Sequence, residues 1–134
     1  MATVQLSPYL HFHGDCEQAM EFYRSVFGGE VTYMRFKEMP PMPGFENMAE
    51  QIMHAELTTP EVSILASDST DDGGIRNFQM ALSGTDGEKL RSLFSSLAQG
   101  GEIGEPLEKA PWGDEFGMLT DKFGVKWMVN IASK

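Results

Sequence analysis

The chain has 134 residues, 41% of them hydrophobic and 22% charged. That is enough to bury one core and too little for two ordinary domains, so a single domain over residues 1–134 is expected. A formal net charge of −10 repels phosphate backbones and anionic lipid, which excludes nucleic acid and membrane surfaces as generic partners. Cys16 is the one cysteine and leaves no internal disulfide. The start MATVQLSPYL lacks the basic residues and apolar run of a signal peptide, and no apolar stretch approaches the ~20 residues that span a bilayer. A cytoplasmic protein is expected.

Pro8 to His13 is short, aromatic-rich and alternating, and predicts a strand that stops at Gly14-Asp15. Asp15 is placed to cap a helix, with Gln18 three residues on as in a capping box. Ala19, Phe22, Tyr23, Val26 and Phe27 then follow helical spacing until Gly28-Gly29 ends the run. Val31 to Phe36 is a second strand. The insert Glu38 to Phe45 has three prolines in four positions, which rules out a ladder strand or helix interior and leaves a loop, a plain surface connection or a lid. Met53 to Thr58 and Val62 to Ala66 predict a hairpin turning at Thr59-Pro60-Glu61. Asp68 to Gly74 is acidic but has no glutamate to close a calcium loop, so it is taken as a solvated linker.

The second half repeats this order. Phe78 to Ser83 is a strand that breaks at Gly84, and Thr85 with Glu88 has the T-x-x-E form of a capping box. Leu90, Leu93, Phe94 and Leu97 form an apolar stripe that Gly100-Gly101 terminates. Glu102-Ile103 resumes the chain, Glu105 to Asp114 is expected as a loop, and Phe116 to Thr120 with Lys126 to Ile131 forms a last hairpin around Asp121 to Gly124. FYRSVFGGEV and LFSSLAQGGEI mark the same junction in each copy. The implied architecture is α+β, with pseudo-repeat halves of about 1–70 and 75–134. Each half would expose an apolar sheet face that it cannot cover alone.

A tandem βαβββ repeat of this length resembles the vicinal oxygen chelate superfamily of glyoxalase I, bleomycin-resistance proteins and extradiol dioxygenases. PYLHFHGDCEQAMEFYRSVFGGEV and WGDEFGMLTDKFGVKWMVNI resemble its PhnB-like branch. The resemblance implies a pair of half-barrels enclosing a cavity, a small-molecule ligand and frequent homodimers. Metal-using members place ligands on the first and fourth strands of each module. Matched at Gly14-Asp15, those positions fall on Pro8, Glu56, Gln79 and, nearest, Met128. Proline has no ligating side chain and a thioether is too soft for the oxygen-preferring ions of this chemistry, so a metal-free protein with no cofactor is expected.

Read from the residues alone, His11-x-His13 and His54-x-Glu56 each put two ligands on one strand face, which leaves a divalent metal at His11, His13, His54 and Glu56 as the alternative. His54 and Glu56 are also the candidate acid/base pair. The ligand-binding residues expected are His54, Glu56, Gln79, Trp112, Phe116, Met118 and Met128, an apolar and aromatic lining with a few polar groups, while Trp127 is taken as core. Cys16, flanked by Asp15 and Glu17, is expected as a structural thiol. The function expected is a small-molecule-binding protein, with a glyoxalase-like metal-dependent lyase or isomerase, or a metal-free acid/base enzyme, as the alternative. No glycine-rich loop opens a helix as a nucleotide or S-adenosylmethionine fold requires.

Overall fold

A computed structural model describes residues 7–40, 46–69 and 78–133. Most of the Pro-rich insert and of the expected linker lies outside these residues, and so does any reading of them as a lid or a calcium loop. The chain divides into two compact units, residues 1–75 and 76–134.

In the first unit β1 (Tyr9–Phe12), α1 (Cys16–Phe27), β2 (Glu30–Arg35), β3 (Ile52–Thr58) and β4 (Ser63–Asp68) follow one another. The sheet order is β1-β4-β3-β2, with β1 parallel to β4 and the other pairs antiparallel. Side-chain alternation sends Leu10, Phe12, Ala55, Leu57, Ile64 and Ala66 to one buried face, against which α1 sets Ala19, Met20 and Tyr23. The second unit repeats the plan with β5 (Met80–Gly84), α2 (Gly87–Ala98), β6 (Glu102–Lys109), β7 (Glu115–Thr120) and β8 (Lys126–Ile131), in sheet order β5-β8-β7-β6. Leu119, Trp127, Val129 and Ile131 are buried with Leu90, Phe94 and Leu97 of α2. The α+β class and the βαβββ order agree with expectation.

Four local expectations are corrected. Asp15 occupies the N-cap of α1, but its side chain makes no capping bond there and Gln18 completes no box. Asp68 does the work from the end of β4. Its Oδ1 accepts from the backbone N–H of Gly14 at 2.7 Å and of Cys16 at 3.0 Å, and its Oδ2 accepts from Ile52 at 2.9 Å. Asp68 is 3% exposed, so it is a structural carboxylate and not part of a solvated linker. In α2 the cap moves one residue, since Asp86 and not Thr85 accepts from the backbone N–H of Lys89.

The fourth correction is β6, which continues to Lys109 where a loop from Glu105 was expected. Pro106 is tolerated because β6 is an edge strand, with one side free of ladder bonds. Two register shifts against β7 absorb the irregular sequence.

The duplicated glycine pairs act as helix stops with separate duties. Gly28 has φ 78° and donates its N–H to the Arg24 carbonyl, closing α1. A Cβ on Gly29 would overlap the carbonyl oxygen of Thr58 at the end of β3. One on Gly101 would overlap the carbonyl oxygen of Thr120 at the end of β7. The second glycine of each pair is therefore where the chain leaving the helix crosses a neighbouring strand end at backbone contact distance.

Gly101 has no left-handed φ, so its substitution reports that contact alone. Gly101→Ala is expected to lower the free energy of unfolding by about 1–3 kcal/mol in urea titrations. Gly104→Ala, whose added Cβ would stand 3.8 Å from the Met118 carbonyl oxygen, should change it by less than about 0.5 kcal/mol. Asp68→Ala strands three backbone donors and should cost at least about 2 kcal/mol by the same measurement.

Candidate functional site

In each unit the helix packs on one sheet face, and the sequence-predicted site residues other than His13 fall on the other side. In the second unit Met118 pairs with Met128 and Phe116 with Asn130 across β7 and β8. Phe116 and Met118 are two residues apart on β7 and so share a face. Gln79, just before β5, donates its Nε2–H to Met128 Sδ at 3.4 Å. Trp112, between β6 and β7, stands edge-on to Phe116 with centroids 5.6 Å apart and is 61% exposed. Gln79, Trp112, Phe116, Met118 and Met128 are thus brought together as one soft, mostly apolar surface.

Two carboxylates, Asp121 buried and Asp114 partly exposed, hold this surface in place. Asp121 Oδ1 accepts from the backbone N–H groups of Phe123 and Val125, and its Oδ2 accepts from Trp127 Nε1 at 2.9 Å. Trp127 is 2% exposed and belongs to the core, as expected, and its indole fixes the start of β8 one residue before Met128. At the other end of the hairpin Asp114 accepts from Asn130 Nδ2 and the Ser133 N–H, and these bonds hold its carboxyl below the usual carboxylate range.

In the first unit His54 and Glu56 lie two apart on β3, both half-buried on the face away from α1; β3 is the third strand of its unit, so Glu56 does not stand at the fourth-strand ligand position that the resemblance assigned to it. Met34 pairs with His54, and Thr32 and Leu65 flank Glu56. On β1 the Tyr9 ring stands 5.1 Å from His11 and 6.1 Å from His54 between centroids. His11 therefore joins His54 and Glu56 on this face. His13 does not, because β1 ends at Phe12 and the alternation that would have aligned His13 with His11 ends there. Its backbone N–H instead donates to Asp15 Oδ1.

Among the described residues, no group of three or more His, Cys, Asp and Glu side chains is arranged to hold a metal ion. The set His11, His13, His54 and Glu56 is therefore not gathered around one point. Sequence reasoning overlooked Tyr9 and Met34 as companions of His54. The alternation of Tyr9 with His11 was the available signal for the first, while the second needed the β2–β3 register.

Residues 5–129 match the Glyoxalase/Bleomycin resistance protein/Dioxygenase superfamily. The chain belongs to this superfamily. Within it, the chain is 32% identical to Protein YjdN of Escherichia coli (strain K12), over 96% of each sequence. It superposes on the crystal structure of protein PA1353 from Pseudomonas aeruginosa with a TM-score of 0.85 and 33% identity, covering 98% of this chain and 100% of that one. A PhnB protein from Bacillus cereus, described as a putative 3-demethylubiquinone-9 3-methyltransferase, aligns with a TM-score of 0.75 and 27% identity over 96% of this chain and 100% of that one. The superfamily and its PhnB-like relatives are those that the two quoted stretches suggested. Among the described residues, no helix is long and apolar enough to cross a membrane.

Cys16, inside the first turn of α1, is fully buried. Desolvation pushes its thiol pKa up, and Asp68, Asp15 and Glu17 add to the shift in that order. The folded protein should therefore leave Cys16 unmodified by a disulfide reagent such as Ellman's at neutral pH, and release a full equivalent of thiol only in concentrated guanidinium.

Proposed function

We propose that the protein is a metal-free binder of a small organic molecule, taken up on the helix-free face of the second unit by Gln79, Trp112, Phe116, Met118 and Met128. The observation that carries this reading is Trp112, a large aromatic left 61% exposed yet held against Phe116, beside the cross-strand Met118 and Met128 pair. Flexible thioethers and a rigid indole suit a planar apolar ligand, and the Gln79 side chain adds a polar contact. His54 and Glu56 offer polar contacts on the first unit's own helix-free face. The reading includes a homodimer working in the cytoplasm, as the family resemblance and the lone buried Cys16 lead one to expect.

A second reading is favoured by one observation, the shared half-buried face of His54 and Glu56. An imidazole and a carboxylate two residues apart can pass a proton to and from the same substrate, which would make this a metal-free acid/base enzyme. The methyltransferase description of the Bacillus cereus protein is not carried over. Gly28-Gly29 and Gly100-Gly101 follow helices and do not open them.

Trp127 is buried and Trp112 is exposed, so indole fluorescence serves as the test. A panel of planar aromatic compounds should contain members that shift the emission, and the shift should vanish in Trp112→Phe. Met118→Ala and Met128→Ala should each weaken such a binder by about tenfold, roughly 1.4 kcal/mol. If a bound compound is turned over, and turnover but not binding is lost in His54→Ala or Glu56→Gln, the enzyme reading replaces the binding one.

A further inference from the structure

We infer that the ligand of the second unit is an organic cation carrying an apolar, preferably aromatic, group. This rests on the reading that the face of Phe116, Met118 and Met128 binds a small molecule, and it comes from the course of β6 beside that face. Glu102, Glu105 and Glu108 recur every third residue along β6. In a regular strand Glu105 would point away from the other two. The two register shifts cancel that alternation. Glu102 pairs with Thr120, Glu105 with Met118 and Glu108 with Phe116, and those three partners alternate along β7 on one face. The residue between them, Gly117, faces α2, where an added Cβ would overlap Leu107 and Phe94. All three carboxylates therefore line the helix-free side, next to the aromatic and thioether surface.

None of these three glutamates makes an ion pair or side-chain hydrogen bond among the described residues. Among the nearby cations Lys126 shares the helix-free face, two residues before Met128 on β8, while Arg91 and Lys109 stand on the helix side. Arg91 of α2 pairs with Glu115 on the helix side, and Lys109 lies opposite that same Glu115 in the β6–β7 ladder. Lys126 is opposite Thr120, at the Glu102 end. Glu105 and Glu108 thus stand beside Met118 and Phe116 with no basic neighbour in the ladder. A positively charged aromatic lying on Trp112 and Phe116 would gain ring–cation attraction from below and carboxylate attraction from the side. A neutral analogue would gain neither, and an anionic one would be repelled.

The test uses the whole chain with labelled methionine methyls and three probes of one shape, namely 1-methylquinolinium, quinoline and quinoline-2-carboxylate. Binding is followed by the Trp112 indole and Met118 and Met128 methyl signals at pH 8 and low salt. The cation should bind about tenfold or more tighter than quinoline, and the carboxylate weakest. In a Glu105→Gln, Glu108→Gln variant the cation should lose that advantage while quinoline affinity stays unchanged. Quinoline binding as tightly as the cation, or a cation preference that survives in the variant, overturns this inference and leaves the binding surface standing. If none of the probes moves the Trp112, Met118 or Met128 signals, the binding surface itself is refuted, and the inference with it.

Discussion

A single helix can cover only one face of a four-stranded sheet, and both units are organised by that limit. Alternation along each strand sorts its residues into a set packed on the helix and a set that is not. The packed set holds the apolar bulk, Leu10, Ala55, Leu57 and Ile64 in one unit and Leu119, Trp127 and Val129 in the other. The remaining set is free to carry chemistry without cost to the core, and there the two units diverge. The first presents Tyr9, His11, His54 and Glu56, while the second presents Phe116, Met118 and Met128 with Gln79 and Trp112 beside them. Duplication conserved the packing problem and released the other face.

The precision of these faces depends on buried carboxylates at strand ends. Asp68 gathers the turn after β1, the first turn of α1 and the start of β3 onto one side chain. Asp121 gathers the β7–β8 turn and the Trp127 indole. The counterpart of Asp121 in the first unit is Thr59, whose hydroxyl accepts from the backbone N–H groups of Glu61 and Val62 at the equivalent hairpin. The equivalent turn is thus closed by a hydroxyl in one copy and, one residue longer, by a carboxyl group in the other. The carboxyl group also accepts from an indole.

Element order and nearly all strand positions were legible, because alternation, helical spacing and glycine stops are local signals. The final hairpin was read to within one residue at its start. Apart from the α2 cap, which falls on Asp86 and not Thr85, what failed was decided by partners distant in sequence. Asp68 resembled a linker residue because its three donors lie 16 to 54 residues away. Glu105 to Lys109 resembled a loop because a proline is acceptable in a strand only at a sheet edge, and edge position is a property of the assembled sheet.

The sequence by itself determined two βαβββ units, which residues face the helices and where the glycines must stop them, since each follows from periodicity and backbone sterics. Only the tertiary structure decided that His13 leaves the face of His11, that Met34 stands beside His54, and that three glutamates spaced by three residues line one side of β6. Those outcomes depend on where a strand ends and how its register slips against a neighbour. Register is settled by pairing energies between strands, and no single strand contains that information.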